Sequence, residues 1–316
     1  MPSHLPQTMQ AVRFHTYGGP EVLMYEQVPA PLPRPGEVLV KVRAAGVNPF
    51  DYKLRQGWLQ SMLPLPLPVI TGTDVAGVVA ATGEGVSNFS VGQEVYGFAG
   101  VSGGAYAQYA CIPSAHLAPK PQTLDFVEAA AMPLAAAVAW QALVDSGQLQ
   151  AGQRVLVHGG AGGVGTFAIQ LAHYKAARVV ATAASHDAEF VQSLGADEVI
   201  DYRATRFETL NGNVDIVLDT QGGEVEQRSW GTLKRGGLLV SLLMPPSEEA
   251  AAKHGARGLM LMGNPTSEIL QELGRLVDRG HLRPIVGKVL PLQHAQEAQT
   301  LKEFGHTRGK IVLKVA

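Results

Sequence analysis

The chain has 316 residues, which is long enough for two domains, and its composition excludes several classes of protein. Hydrophobic residues make up 46% of it and charged residues 16%, so apolar material for buried cores is ample. The net charge of −2 gives no pull toward nucleic acid or a membrane surface. The single cysteine, Cys111, rules out an internal disulfide and a multi-cysteine zinc site.

Short β-like runs separated by turns fill the first 120 residues. Lys41 and Arg43 alternate with Val40 and Val42, which is the two-residue period of a half-exposed strand. Similar runs lie at 11–14, 75–80, 94–98 and 105–112. Strands at this spacing, with few helical patterns between them, predict an antiparallel, barrel-like domain.

The pattern changes near Asp125. An alanine-rich stretch at 126–140 favours helix, with Pro133 as a break, and from Ala151 onward strands and helices alternate. The predicted strands are 154–158, 178–182, 198–200, 214–218 and 237–243, and the predicted helices are 163–176, 188–194 and 225–233. This alternation predicts a doubly wound parallel sheet. A sixth strand at 258–262, a helix at 267–279, and a strand, helix and strand at 285–289, 293–303 and 310–315 complete the chain.

A glycine-rich turn follows the first of those strands, where residues 155–165 read VLVHGGAGGVG. Gly160, Gly162 and Gly165 fit the pattern G-x-G-x-x-G between a strand and a helix, which is the context of a dinucleotide-binding turn. The three glycines would permit a tight turn, close approach of a pyrophosphate, and close packing of the helix. The backbone N–H groups around Gly163 and Val164, at the helix N-terminus, would face the phosphates.

These pieces together resemble one family. The stretches AAGVNPFDYKLRQG at 44–57, TGTDVAGVV at 71–79, AAMPLAAAVAWQAL at 130–143, VLVHGGAGGVGTFAIQLA at 155–172 and SLGADEVIDY at 193–202 occur in this order. From residue 9 onward the chain resembles the zinc-free quinone oxidoreductase branch of the medium-chain dehydrogenase/reductase superfamily. The resemblance implies a GroES-like catalytic domain at 1–125, completed by 281–316, a Rossmann domain at 126–280, and an active cleft between the domains.

The sequence departs from the zinc-dependent relatives at their metal ligands. Those enzymes have a cysteine where Asn48 stands and a His-Glu pair where Thr73 and Asp74 stand. Amide and hydroxyl side chains are poor zinc ligands, so we expect no metal. Without a Lewis acid, alcohol oxidation is disfavoured, and reduction of an acceptor that carries its own electron sink is favoured.

The resemblance points to Asn48, Tyr52 and Lys53 as catalytic candidates, in a segment expected to be a loop after a strand. Tyr52 or Lys53 would donate a hydrogen bond or a proton to the charge that develops on the acceptor. The alternative is that Asp51 and Lys53 fix the loop and that Tyr52 packs on Pro49. No chemical role is expected of four further residues: Phe50, Trp58 and Leu63 would form apolar wall or core, and His158 would be structural.

The strand after the glycine turn indicates the coenzyme. NAD-binding relatives place an acidic residue at the tip of this strand, to bind the ribose 2′-hydroxyl. Here the tip has Ser185 and His186, with Asp187 coming late. These two residues, joined by Arg203 or, as the resemblance implies, by Tyr202, predict a site for the 2′-phosphate of NADPH. The alternative is that His186 and Arg203 are solvated surface groups.

The sequence therefore predicts an NADPH-dependent oxidoreductase that transfers hydride to a quinone or an α,β-unsaturated carbonyl. Two alternatives stay open: a non-catalytic NADPH-binding protein and a zinc-free alcohol dehydrogenase. The expected partner is a small electrophilic acceptor, with no nucleic acid and no membrane. The oligomeric state stays open, although members of the family are often homodimers through the edge of the Rossmann sheet. No signal-peptide pattern begins the chain, and we expect a cytoplasmic protein.

Overall fold

The computed structural model describes residues 5–101 and 103–315. Over these residues sixteen strands form three sheets. The strands are β1 (Thr8–Phe14), β2 (Leu23–Pro29), β3 (Glu37–Val47), β4 (Val69–Ile70), β5 (Asp74–Thr82), β6 (Glu94–Phe98), β7 (Tyr109–Pro113), β8 (Leu117–Pro119), β9 (Arg154–Val157), β10 (Arg178–Ala183), β11 (Glu198–Asp201), β12 (Val214–Asp219), β13 (Leu233–Ser241), β14 (Arg257–Met260), β15 (Val286–Pro291) and β16 (Lys310–Lys314).

The described residues also form nine α-helices. They are α1 (Pro49–Arg55), α2 (Phe126–Ala130), α3 (Pro133–Trp140), α4 (Gly163–Tyr174), α5 (Ala188–Ser193), α6 (Glu224–Ser229), α7 (Glu248–His254), α8 (Ser267–Asp278) and α9 (Ala295–Phe304). Pro133 begins α3, because proline lacks only an N–H that the first turn of a helix does not use. No helix in the described part of the chain has both the length and the apolar character needed to cross a bilayer.

The first compact unit comprises the residues up to Leu134, Pro265–Asp278 and the residues from Pro284 onward. Its larger sheet has the order β15-β16-β3-β5-β6-β8, with β7 also paired to β3. The pair β15–β16 is parallel, and all the other pairs are antiparallel. A three-stranded sheet, β2-β1-β4, completes the unit. The predicted antiparallel β domain is confirmed.

The second unit comprises Ala135–Asn264 and Arg279–Arg283. Its six strands are all parallel, in the order β11-β10-β9-β12-β13-β14. Counted along the chain this is 3-2-1-4-5-6, the order of a Rossmann sheet, and the order reverses between β9 and β12. The predicted doubly wound sheet is confirmed, and the turn after β9 lies at the point where such sheets bind ligands.

The predicted domain limits, 125/126 and 280/281, differ from these units. Helix α8 packs with the first unit, where the Tyr96 hydroxyl donates to Leu270 O at 2.5 Å. The Asp278 carboxylate at the end of α8 also accepts from the backbone N and the hydroxyl of Thr123, at 3.1 and 3.0 Å. These contacts join residues more than 150 positions apart, so periodicity along the chain could not reveal them.

Candidate functional site

The glycine turn connects β9 to α4. Gly159, with a φ of +71°, takes the left-handed conformation that a tight turn requires. Gly160 was expected to have this role, but its backbone has no positive φ. A Cβ at Gly160 would lie 3.0 Å from Ala181 Cβ and 3.2 Å from Ile169 Cδ1, so its small size serves the packing of α4 on β10. The turn therefore depends on Gly159 as well as on the three glycines of the motif.

The N-terminus of α4 is open to an anion. Gly162 is its N-cap residue and supplies no side-chain cap, so the N–H groups of Gly163, Val164 and Gly165 lack intrahelical acceptors. A Cβ at Gly162 would meet only Gly159 O, at 3.2 Å, whereas a Cβ at Gly165 would lie 2.2 Å from that oxygen. Gly165 thus allows the helix to approach the turn, and Gly162 leaves space above it. These residues fit a pyrophosphate.

Polar side chains lie at the tips of β10 and β11. The two strands are parallel, with Ala183 aligned to Asp201, so Ser185 and Tyr202 follow at the same edge of the sheet. Ser185 and His186 are exposed, and Tyr202 is 53% exposed, with the Arg203 guanidinium 5.5 Å from its ring centre. The side chain of Asp187 is buried, so it does not present a carboxylate to a ribose at this edge. The predicted residues Ser185, His186 and Tyr202 are therefore brought to one edge.

His158, at the end of β9, is a buried structural residue. One ring nitrogen lies 3.2 Å from the Thr182 hydroxyl and the other 2.9 Å from the Ser229 hydroxyl. Burial and, to a smaller extent, the charge of the nearby Arg228 lower the pKa of His158 to about 4. The imidazole is neutral near pH 7 and connects β9, β10 and α6.

The segment expected to be a loop at 48–53 is instead the first turn of α1. Asn48 is the N-cap residue, Pro49 occupies the first helical position, and the Asp51 carboxylate accepts from the backbone N–H of Asn48 at 2.7 Å. The sequence does contain the signal for this helix, since Asn-Pro followed by an acidic residue at the third helical position is a common helix start.

The Asn48 side chain lies inside a buried polar cluster and is only 3% exposed. Its Nδ2 donates to the Thr73 hydroxyl at 3.0 Å and to Asp74 Oδ2 at 2.9 Å, and its Oδ1 accepts from Lys310 Nζ. Both amide hydrogens are therefore in use. Toward a ligand, the Asn48 side chain could therefore act only as a hydrogen-bond acceptor, through Oδ1.

Asp51 holds the start of α1 from the other side. Its Oδ2 accepts from the Tyr106 hydroxyl at 3.0 Å as well as from the Asn48 backbone. Burial and, to a smaller extent, the charge of the neighbouring Asp74 raise the pKa of Asp51 to about 7, although the Asn48 N–H and Lys310 oppose the shift. Asp51 thus fixes the position of the segment, as the alternative interpretation expected.

Tyr52 and Lys53 are half-buried on α1. Burial raises the pKa of Tyr52, and the charge of Glu303 adds to this, so the phenol keeps its proton at neutral pH. Burial lowers the pKa of Lys53, which makes its ammonium a stronger acid. Consecutive residues of a helix point about 100° apart, so Tyr52 and Lys53 face different directions. Each side chain is therefore tested separately as a donor to the acceptor.

The far end of α1 is held by Arg55, a residue that sequence analysis missed. The side chain is fully buried and donates to Gly18 O and Gln299 Oε1, each at 2.7 Å, and to Glu303 Oε2 at 2.8 Å. Two of these partners lie 244 and 248 positions away in sequence, so no local pattern marks them.

The three apolar residues near α1 differ in their environment. Phe50 and Leu63 pack against the core of the first unit, as expected. Trp58 is 66% exposed and lies in the turn after α1, so it is not a core residue.

Comparison with known proteins identifies the family. Models of an alcohol dehydrogenase GroES-like domain and of a zinc-binding dehydrogenase match residues 34–122 and 194–313. The chloroplastic NADPH-dependent alkenal/one oxidoreductase of Arabidopsis thaliana is 35% identical over 98% of this chain and 80% of that protein. Quinone oxidoreductase of Rattus norvegicus is 34% identical over 96% of each chain. The chain belongs to the medium-chain dehydrogenase/reductase superfamily, in its quinone oxidoreductase branch.

A solved structure from the same branch has the same fold. The quinone oxidoreductase from Coxiella burnetii superposes with a TM-score of 0.92 at 36% identity, over 98% of this chain and 100% of that one. The Rossmann sheet and the GroES-like domain are thus those of this superfamily, and the chain is an oxidoreductase.

Because one matching family model describes a zinc-binding dehydrogenase, we tested whether the residues at the family's metal position fit zinc. They offer an amide, a hydroxyl and one carboxylate, from Asn48, Thr73 and Asp74. Lys310 Nζ donates to two of these three groups, Asn48 Oδ1 and Asp74 Oδ2. Burial raises the pKa of the Cys111 thiol to about 12, so it is no thiolate ligand. This donor set does not fit zinc.

The raised pKa of Asp51 predicts how stability depends on pH. The folded state favours protonated Asp51, so this stabilisation is complete below pH 4, the usual carboxyl pKa, and is lost as pH rises through 7. His158 acts in the opposite direction, because its folded pKa is lowered: its contribution is present above pH 6.5 and is lost as pH falls toward 4. Between pH 4.5 and 6.5 the two effects offset each other, because each changes the free energy of unfolding by about 1.4 kcal/mol per pH unit, in opposite directions.

Asp51→Asn should therefore change the slope of stability with pH. An asparagine with its oxygen toward Asn48 N and Tyr106 keeps both hydrogen bonds, and it removes the titration. We expect the free energy of unfolding of the variant, relative to the parent, to rise as pH increases from 4.5 to 7. Urea unfolding at several pH values measures this difference; parallel curves for parent and variant would contradict it.

Proposed function

We propose that this oxidoreductase reduces quinones and α,β-unsaturated carbonyls with NADPH and without zinc. The observation that carries the proposal is the donor set on α1, a protonated phenol at Tyr52 and an acidified ammonium at Lys53, beside the groups of Asn48, Thr73 and Asp74, which do not fit zinc. The names of the relatives agree, since one acts on alkenals and alkenones with NADPH and others on quinones. Such acceptors need a proton or hydrogen-bond donor at a distant oxygen and no Lewis acid.

In this mechanism each part of the chain has a defined task. Gly159, Gly162 and the N–H groups that begin α4 would hold the pyrophosphate. NADPH, when bound, would supply a hydride to the acceptor. Tyr52 or Lys53 donates to the conjugated oxygen, where negative charge collects. No covalent nucleophile takes part, because orientation and charge stabilisation suffice.

A screen of NADPH oxidation tests the proposed function. The acceptors are quinones, 2-alkenals, enones and saturated ketones, and primary alcohols are tested with NADP⁺ in the reverse direction. We expect rates to follow the electrophilicity of the acceptor, with quinones and enones first and alcohols hardly oxidised. Ready oxidation of primary alcohols with no quinone or enone reduced would favour an alcohol dehydrogenase. Coenzyme binding with no turnover at all would favour a non-catalytic NADPH-binding protein.

The coenzyme preference is proposed from the tips of β10 and β11. A hydroxyl from Ser185 and one from Tyr202, with His186 beside them, favour a 2′-phosphate over a 2′-hydroxyl. Each bond to a charged phosphate contributes about 1.5–3 kcal/mol, so NADPH should bind at least about 10-fold more tightly than NADH.

Ser185→Ala and Tyr202→Phe should each reduce the difference in affinity between NADPH and NADH, because each should weaken the binding of NADPH and leave that of NADH unchanged. Ser193→Ala is a matched control, because that serine on α5 is exposed and its hydroxyl donates to Phe190 O of the same helix. Fluorescence titration with both coenzymes measures the affinities. Equal affinity of the parent for NADPH and NADH would contradict the preference.

We further propose that the protein is a cytoplasmic homodimer that pairs through the edge of the Rossmann sheet. The edge strand β14 leaves Leu259 36% exposed, and Met262 beyond it is exposed as well. Light scattering gives the mass in solution, and Leu259→Glu should convert a dimer to a monomer.

A further inference from the structure

Lys310, the first residue of β16, is a buried lysine that only the antiparallel pairing of β16 with β3 brings to the catalytic segment. Ile311 is aligned with Val47, so the next residues outward, Lys310 and Asn48, lie opposite each other. The side chain of Lys310 is 2% exposed. Its Nζ donates to Asn48 Oδ1 and, at 3.1 Å, to Asp74 Oδ2.

The charges around Lys310 need a cation. Asp74 is fully buried and also accepts from the backbone N–H of Leu134 at 2.8 Å. A second buried carboxyl group, Asp51, joins the same cluster through Thr73 and Asn48. Burial, and to a smaller extent the charge of Lys310, lowers the pKa of the nearby Lys302 on α9 to about 8. Lys310, which donates directly to Asp74 Oδ2 at 3.1 Å, is the ammonium that compensates Asp74 within this cluster.

Lys310 also determines which way the Asn48 amide points. An ammonium can only donate, so the amide oxygen must face it, and the amide nitrogen then faces Thr73 and Asp74. The reverse orientation would place an NH₂ group against the ammonium and an oxygen against the Asp74 carboxylate. Because Asn48 is the N-cap residue of α1, its orientation is coupled to the start of the helix that carries Tyr52 and Lys53.

We propose that Lys310 is a positioning residue: a built-in cation that contacts two of the residues standing where zinc-dependent relatives have their metal ligands, Asn48 and Asp74, and that holds Asn48 and the first turn of α1 in the orientation needed for turnover. The effect on turnover rests on the proposed reductase function. The effect on the order of α1 does not.

Four variants separate positioning from simple charge balance: Lys310→Met, Asp74→Asn, the double variant, and Lys314→Met as a control on an exposed lysine of the same strand. Lys310→Met leaves Asp74 buried without a cation, and we expect its melting temperature to fall by about 5–10 °C. The double variant removes the unpaired carboxylate and should regain most of that loss. Its kcat should stay about 10-fold or more below that of the parent, with NADPH affinity unchanged.

Hydrogen exchange of residues 48–56 gives a readout that needs no substrate. The double variant should exchange faster there than the parent, although its stability is restored. Parental kcat and parental exchange in the double variant would overturn the proposal, because Lys310 would then only balance charge. Stoichiometric zinc in the purified parent would also overturn it. A parent that reduces no acceptor would refute the proposed function alone, and the exchange experiment would still decide the role of Lys310.

Discussion

Gly162→Asp is expected to abolish NADPH binding and to leave the protein folded. The new side chain would project into the space above the turn, where the pyrophosphate is proposed to lie, and its charge would repel the phosphates. Aspartate is also a favoured N-cap residue, so its carboxylate would accept from the free N–H groups of α4 in place of the phosphates. Loss of two or more such bonds, at about 1.5–3 kcal/mol each, weakens binding by about 100-fold or more.

The fold should tolerate this change, because a Cβ at Gly162 meets only Gly159 O at 3.2 Å and the φ of −79° suits any residue. Gly231→Asp is the matched control, since a Cβ there has open space and the residue lies in the short segment between α6 and β13. Fluorescence titration with NADPH and a thermal melt are measured on both variants. A folded Gly162→Asp protein that binds NADPH as tightly as the parent does would show that the turn is not the coenzyme site.

Tyr52→Phe is expected to lower kcat by about 100-fold, the usual effect of removing one donor to a developing oxyanion. Coenzyme affinity should not change, because the phenol has no part in the glycine turn. Burial and the charge of Glu303 raise the pKa of Tyr52, so the lost donor is a neutral phenol over the whole neutral pH range. Initial rates with the best quinone or enone measure the effect.

Lys53→Met tests the second candidate on the same helix, and Tyr25→Phe controls for the loss of a hydroxyl at an exposed site on β2. If Tyr52 is the donor, Lys53→Met and Tyr25→Phe should both keep kcat within a few-fold of the parent. If Lys53 is the donor, the large loss moves to Lys53→Met, with a change in the pH profile that follows its lowered pKa. Parental kcat in both α1 variants would remove the helix from the mechanism.

Local patterns were sufficient for the Rossmann sheet. Its central strands β9, β10 and β12 are short apolar runs buried along most of their length, and the crossover helix α4 has the period of a helix, so their type and sequence order follow from neighbouring residues. The glycine motif was readable for the same reason, because strand, turn and helix are contiguous. One detail within it was wrong: the positive φ belongs to Gly159, since the chain turns one residue before the first glycine of the motif.

The start of α1 has a helix signal in the sequence, but the segment is too short for that signal to have decided the prediction. Asn48, Pro49 and Asp51 form a helix start, but seven residues are too few to show an apolar period, so the segment had the character of a loop. Trp58 was expected to be wall or core on hydrophobicity alone, and its exposure is decided by the turn that carries it.

The sequence by itself determined the two kinds of sheet, the glycine turn between β9 and α4, the family, and the segment that carries Tyr52 and Lys53, because each of these depends on residues close together in the chain. Only the tertiary structure decided how that segment is held: Asn48 by Lys310 from 262 positions away, and Arg55 by Gln299 and Glu303 on α9. A buried polar group must find a partner wherever the fold brings one, and the last strand and helix of the chain bring these partners to α1.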